Sequence, residues 1–210
     1  MRKNWKTIRS KGRILRFLIG FMLFSQNSPA QEADVALFEV VVLGIKIGEL
    51  EASRDKNRKD SLVYEVNSQV KFWFFGGVDV RFQNRSFFLK DHIVKTTSTS
   101  KTNRGDFFSL VRWDGDHYQV KADSYQFENR TPVSGPVAWC STKLFFEEPS
   151  PQDIFLSEVY GLAQRIIQVE PGVYEIEING NKNRYYYQSG KLDKIVLENP
   201  IKNYQIRRVK

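Results

Sequence analysis

From Leu62 to Phe75 the chain alternates with a period of two. One parity carries Leu62, Tyr64, Val66, Ser68, Val70, Phe72 and Phe74; the other carries Val63, Glu65, Asn67, Gln69, Lys71, Trp73 and Phe75. Successive side chains of a strand point to opposite faces, so the first set reads as core and the second as mainly solvent-facing. Strands usually run to about 5–6 residues. One this long has to curl, which points to a barrel or half-barrel.

The rest of the chain follows the same rhythm. Tyr174, Ile176 and Ile178 alternate with Glu175 and Glu177; Leu43, Ile45 and Ile47 with Gly44, Lys46 and Gly48; Tyr204 and Ile206 with Gln205 and Arg207. Turn chemistry separates these runs at Asp55 to Asp60, Lys90-Asp91-His92, Asn103-Arg104-Gly105, Asp114-Gly115-Asp116, Pro171-Gly172, Asn179-Gly180-Asn181 and Ser189-Gly190. Asp-Gly and Asn-Gly tolerate the positive φ of tight hairpins. Parallel strands need crossovers of about a dozen residues or more, and most spacings here are too short. The predicted fold is mainly β: a curved antiparallel meander, half-barrel or open barrel, with about one short helix covering a face. That helix is expected in the Pro-rich excursion Thr131 to Gly161, starting near Pro136 with Thr131 or Ser134 as cap.

Residues 1–30 stand apart from this pattern. Arg2, Lys3, Lys6, Arg9, Lys11 and Arg13 precede an apolar run from Ile14 to Phe24, and Ser28 and Ala30 occupy the small-residue positions that signal peptidase reads. The run is too short for the ~20 residues of a membrane span. We read 1–30 as a cleavable signal peptide and 31–210 as a single domain, exported and periplasmic or secreted. The leader holds seven of the 32 Lys and Arg residues and no acidic residue, so residues 31–210 carry 25 basic against 24 acidic residues, a net of +1 in place of +8. The basic surface that nucleic-acid binding requires therefore largely disappears. The terminal Arg207-Arg208-Val209-Lys210 reads as a solvated tail. Cys140 is the only cysteine, so an internal disulfide is excluded. No cysteine follows the apolar run, so the usual lipid-attachment site of a lipoprotein is missing. Cys140 itself reads as a small buried hydrophobe.

Several motifs then occur in order: Phe38 to Leu50 with its Leu43-Gly44-x-x-x-Gly48 core, Leu144 to Pro149, Ser157 to Gly161, Asn183 to Tyr187, and Ser189 to Leu192. Over roughly residues 36–208 the chain resembles a family of exported bacterial proteins of unknown function. It is similar, through that family, to the half-barrel superfamily of periplasmic lipoprotein carriers. The resemblance implies a curved antiparallel sheet that shields an acyl chain in its concave face beneath helices, though only one short helix is predicted here. It carries over no catalytic residues. Gly44 and Gly48 read independently as a bend that lets a long strand pair fold over, with room for a ligand as the alternative.

Catalytic patterns are thin. His92 and His117 sit near turns, and neither a His-x-x-x-His pair nor a cysteine pair offers metal-ligand spacing. Asp114, Asp116 and His117 read as a hairpin tip and Glu147-Glu148 as surface charge. The aromatics say more. Phe87-Phe88 and Phe107-Phe108 must place one ring on each face of their strands, which calls for two covers. We therefore expect a non-enzymatic protein without cofactor or metal, binding a hydrophobic or lipid-like ligand or an envelope partner. The ligand-facing candidates are Tyr64, Val66, Val70, Phe72, Phe74, Trp139 and Phe145. The alternative is a structural or adaptor protein of the envelope with a filled core. A small outer-membrane barrel fits less well, because Lys95 to Asp106 and Asn179 to Arg184 are too polar for a lipid face.

Overall fold

The computed structural model describes residues 33–58, 60–72, 77–198 and 203–209. The leader and Phe74 lie outside these residues, as does the side chain of Phe72. Alternating apolar residues and intervening turns lay down eight strands in succession: β1 (Asp34–Val42), β2 (Ile45–Arg58), β3 (Ser61–Phe72), β4 (Val78–Leu89), β5 (His92–Thr102), β6 (Gly105–Trp113), β7 (His117–Ser124) and β8 (Phe127–Asn129). A two-residue β9 (Val133–Ser134) returns to β7. The Pro-rich excursion supplies β10 (Trp139–Cys140), helix α1 (Ser141–Leu144), β11 (Ile154–Leu156) and β12 (Ala163–Arg165). The chain then makes β13 (Ile167–Glu170), β14 (Val173–Ile178), β15 (Asn181–Gln188), β16 (Lys191–Leu197) and β17 (Tyr204–Arg208).

These strands make a 14-stranded antiparallel sheet in the order β13-β14-β15-β16-β17-β1-β2-β3-β4-β5-β6-β7-β8, with β9 beside β7. The fold is thus mainly β with one short helix, as the periodicity predicts. Apart from the β7–β9 pairing it is a meander with one non-sequential join, where β17 pairs with β1 through Phe38↔Arg208 and Val40↔Ile206. The sheet does not close: β13 and β8 remain edges. Strands β10, β11 and β12 form a separate small sheet, and this excursion packs into the concave side as a plug.

The plug divides the interior into two apolar clusters. In one, Leu144, Phe145 and Phe155 pack on Phe38, Val66, Ile176, Tyr185 and Ile195. In the other, Cys140, Val137 and Leu156 pack on Tyr64, Phe88, Ile93, Val111 and Tyr118. Each fully buried large side chain contributes about 1.5–3 kcal/mol of transfer free energy, so the plug belongs to the core. The paired aromatics divide as expected: Phe88 is buried and Phe107 turns inward, while Phe108 is exposed on the outer face and Phe87 lies under the Arg85 guanidinium at 5.0 Å.

Four local readings need correction. Leu43 and Gly44 are not strand residues; their φ values of 52° and 81° make the two-residue turn between β1 and β2, the conformation a primed hairpin requires. Strand character also runs through Asp55 to Arg58, which pairs with Ser61. Helix α1 starts at Ser141, with Cys140 at its N-cap and no side-chain cap from that residue. Finally, Arg207 and Arg208 are strand residues. Arg207 pairs with Glu39 at 3.0 Å; Arg208 lies 4.8 Å over the Phe38 ring and donates from Nε to the Leu192 carbonyl at 2.6 Å. Gly48 marks a close approach of strands: a Cβ there would collide with the Gln69 carbonyl oxygen and lie 2.9 Å from Val70 Cα. A bulge beside it shifts the β1–β2 register between Val40 and Val41.

Candidate functional site

Antiparallel register sets inward-facing side chains in rows across the sheet. The innermost row runs Tyr64, Ser86, Thr96, Val111 and Val120. The next runs Val66, Asn84, Ser98, Ser109 and Ala122, and the third runs Ser68, Phe82, Ser100 and Phe107. The plug covers the innermost row. Beyond it the concave face opens into a cavity of about 1120 Å³, just above the ~300–1,000 Å³ typical of small-molecule sites.

The cavity has two unlike walls. Val40, Ile47, Leu50 and Val66 from β1 to β3, with Tyr185, Ile195 and Ile206 from β15 to β17, make an apolar side continued by Phe145 and Phe155 of the plug. Opposite them, β4 to β6 present Asn84, Ser98, Ser100, Thr102 and Ser109 interleaved with Val80, Phe82 and Phe107. Leu43, Arg104, Tyr125 and Asn179, all at turns, rim the open end. Among the described lining residues Arg104 is the only cation.

A buried carboxylate seats the plug. Glu158 is fully buried and accepts the backbone N–H of Ser141 at 3.1 Å and of Thr142 at 3.0 Å, the hydroxyl of Ser141 at 2.5 Å and that of Ser86 at 3.4 Å. It thereby satisfies N–H groups that open helix α1, which otherwise lack partners. Three tyrosines tie the same segment to the sheet. Tyr64 donates to Glu147, Tyr174 donates to Glu148 at 2.9 Å, and Tyr187 donates to the Leu144 carbonyl at 2.7 Å. Glu147 and Glu148 are therefore anchoring acceptors, where sequence position alone suggested surface charge. Burial, reinforced by Glu147, holds the Tyr64 hydroxyl well above its ordinary pKa.

The seven predicted site residues divide. Val66, Val70 and Phe145 line the cavity, the Phe145 ring meeting Phe38 edge-on at 5.0 Å. Tyr64 faces inward but lies beneath the plug, 5.2 Å from the Phe88 ring and 5.9 Å from Phe146, outside the cavity wall. Trp139 is likewise outside it, under the Lys143 ammonium at 4.4 Å. Phe74 and the Phe72 side chain fall outside the described residues. The alternation missed the polar wall, because Lys95 to Thr102 is polar on both parities and offers periodicity nothing to detect. The turn before β6 and the hydroxyls at Thr96, Ser98, Ser100 and Thr102 were the signal available.

Two further groups are held by their surroundings. Asp114 accepts the N–H groups of Asp116 at 3.1 Å and His117 at 3.0 Å, which orders a hairpin tip and holds its carboxyl below the usual range. Cys140 is buried beside Thr142, and burial raises its thiol pKa well above the ordinary value. Among the described residues no helix is long and apolar enough to cross a membrane.

Residues 38–209 match the family described as Domain of unknown function (DUF6134), and the chain belongs to it. No curated protein matches the sequence. In structure the chain is similar to a β-barrel-like protein of domain of unknown function DUF1849 from Brucella abortus. The two share 11% identity at a TM-score of 0.54, over 84% of this chain and 95% of that one. At that identity the likeness concerns the fold.

Proposed function

We propose that this member of the DUF6134 family is an exported, non-catalytic protein that holds a hydrophobic or amphipathic molecule in the hollow of its half-barrel. The observation that carries the reading is the cavity of about 1120 Å³ between an apolar wall and a wall where hydroxyls alternate with Val80, Phe82 and Phe107. Well-packed interiors leave few voids larger than a water molecule, so a hollow of this size suits an occupant better than the filled core of a purely structural protein. The basic and apolar leader in residues 1–30 supports a periplasmic or secreted location, as does the resemblance of the motifs to a family of exported proteins. Native mass spectrometry of gently purified protein tests the reading. A lipid-sized adduct on the exported chain is expected; no adduct, together with no uptake of a hydrophobic dye, contradicts it.

An envelope-adaptor role is favoured by one observation. Edge strand β13 leaves Ile167 and Val169 exposed on alternate positions, and an unpaired edge is a template for adding a strand. Co-purification of a partner protein that is lost with Val169→Lys distinguishes this role from ligand carriage.

A further inference from the structure

We infer that the open end of the half-barrel is a docking face for a lipid bilayer, with Leu43, Ile45 and Tyr125 entering the interfacial layer and Arg104 meeting its phosphates. The two ends of the sheet carry unlike turns. At the plugged end the described turn residues include Asp60, Asp91, Asp114 and Asp116. At the open end the four described two-residue turns are Leu43-Gly44, Asn103-Arg104, Tyr125-Gln126 and Asn179-Gly180, which hold one cation and no carboxylate. Leu43 and Tyr125 are 75% and 55% exposed, the two most exposed large apolar side chains among the described residues, and Ile45 is half exposed. Single exposed apolar residues are ordinary on a protein surface, but these three stand on one rim around one opening. Leu43 also has a φ of 52°, a backbone that glycine or asparagine adopts more readily than leucine. With most of its side chain in solvent, the fold gains little from a leucine there.

The rim suits a bilayer better than a protein. A stable protein interface buries about 800 Å² on each partner, far more than three side chains at the tips of turns supply. A membrane surface asks for less: a few apolar side chains set roughly 5–10 Å into the headgroup boundary, with cations beside them. Tyrosine suits this level because its ring is apolar and its hydroxyl polar, and the Tyr125 ring is braced edge-on against Phe107 at 6.1 Å. Arginine is drawn to anionic headgroups. Carboxylates near these turns in the chain are already answered. Glu49 pairs with Lys46 at 2.6 Å, Asp79 with Lys71 at 3.6 Å and Asp123 with Arg130 at 2.5 Å. Glu198 accepts the backbone N–H of Lys182 at 2.9 Å, and Asp106 stands opposite Lys101 in the ladder. Leu43, Ile45, Arg104 and Tyr125 also line the cavity, so its mouth and the rim are one continuous surface. Docking here sets the mouth against the layer that a lipid-like guest enters or leaves, but the docking itself does not depend on the cavity being occupied.

The test is flotation of residues 31–210, a compact unit by themselves, with vesicles of phosphatidylethanolamine and phosphatidylglycerol. The leader is left out because its basic and apolar sequence would bind lipid on its own. The unaltered chain is expected to float with the vesicles, and Leu43→Asn combined with Tyr125→Ser to weaken binding about tenfold. Leu43→Asn alone weakens it in the same direction without lowering the melting temperature, since asparagine accepts the left-handed backbone; that loss cannot be put down to unfolding. Leu89→Asn removes an exposed apolar residue at the plugged end and leaves binding unchanged. Absence of flotation, or equal losses in the rim and Leu89 variants, overturns the inference. Self-association that Leu43→Asn abolishes, in a chain that ignores vesicles, also overturns it. Uptake of a hydrophobic dye without vesicles separates the two readings: dye uptake with no flotation overturns the docking and leaves an occupied cavity standing, whereas flotation with no dye uptake supports the docking and contradicts the occupied cavity.

Discussion

The hydroxyl of Ser141 donates to the carboxylate of Glu158 at 2.5 Å, and this contact seats the plug in the open half-barrel. Each oxygen of Glu158 also takes a backbone N–H, from Ser141 or from Thr142. Truncating the carboxylate would strand several buried donors at once, each costing about 1–3 kcal/mol.

Glu158→Ala is therefore expected to destabilise the fold by roughly 3 kcal/mol, and Glu158→Gln, which keeps one acceptor oxygen, by about half of that. Urea unfolding of the two variants measures both values. A loss below about 0.5 kcal/mol for the alanine variant contradicts the anchoring role.

Gly48 and Gly180 separate steric from conformational demand. At Gly48 an added methyl meets backbone, the Gln69 carbonyl oxygen first and then Val70 Cα at 2.9 Å. Gly180 has open space around it but a φ of +76°. Gly180→Ala should cost about 1–2 kcal/mol from the left-handed backbone alone. Gly48→Ala should cost more, and should weaken amide-exchange protection in β2 and β3. Equal costs would show that the two strands separate without penalty.

Cys140 reports on the plug. Its thiol is buried and its pKa raised, first by burial and then by the nearby Glu158. The thiolate is the reactive form, so alkylation at pH 8 should be slow in the folded protein and fast in urea. Stoichiometric modification within minutes under native conditions would show that the plug does not stay seated.

Alkaline pH should act through the tyrosines. Burial pushes Tyr118 up to about 12 and also raises Tyr64, Tyr185 and Tyr187. Near pH 10 the unfolded chain loses phenolic protons that the folded chain keeps. Stability is therefore fully present below pH 10 and falls as pH rises toward 12. Absorbance of phenolate against pH should show these residues ionising only as the fold opens. Reversible titration of all nine tyrosines near pH 10 in the folded state contradicts the burial.

The sheet was legible because its signals are local. Asn179-Gly180, Ser189-Gly190 and Asp114-Gly115-Asp116 mark turns by backbone chemistry, and Tyr64, Val66 and Val70 mark the inner face by parity. What was hidden depends on partners distant in sequence. Leu43-Gly44 reads as a strand until the pairing of Val42 with Ile45 closes a turn there. Tyr64 reads as ligand-facing until the plug covers it. Arg208 reads as a tail until Phe38 lies beneath its guanidinium. The hydroxyl wall was hidden for another reason: Ser98 and Ser100 face a hollow, and polarity pattern cannot distinguish a hollow from bulk solvent.

The central claim is that the concave face is a hollow open to an apolar guest. Titration of the chain over residues 31–210 with a hydrophobic fluorescent dye, alongside Ser100→Trp, tests it most directly. Ser100 lies in the third row, between Phe82 and Phe107, where an indole fills the space without entering the plug. The account predicts saturable uptake of about one dye per chain and a loss of at least tenfold in affinity in the tryptophan variant, with its melting temperature unchanged. Dye binding that is absent, unsaturable or indifferent to Ser100→Trp would contradict it.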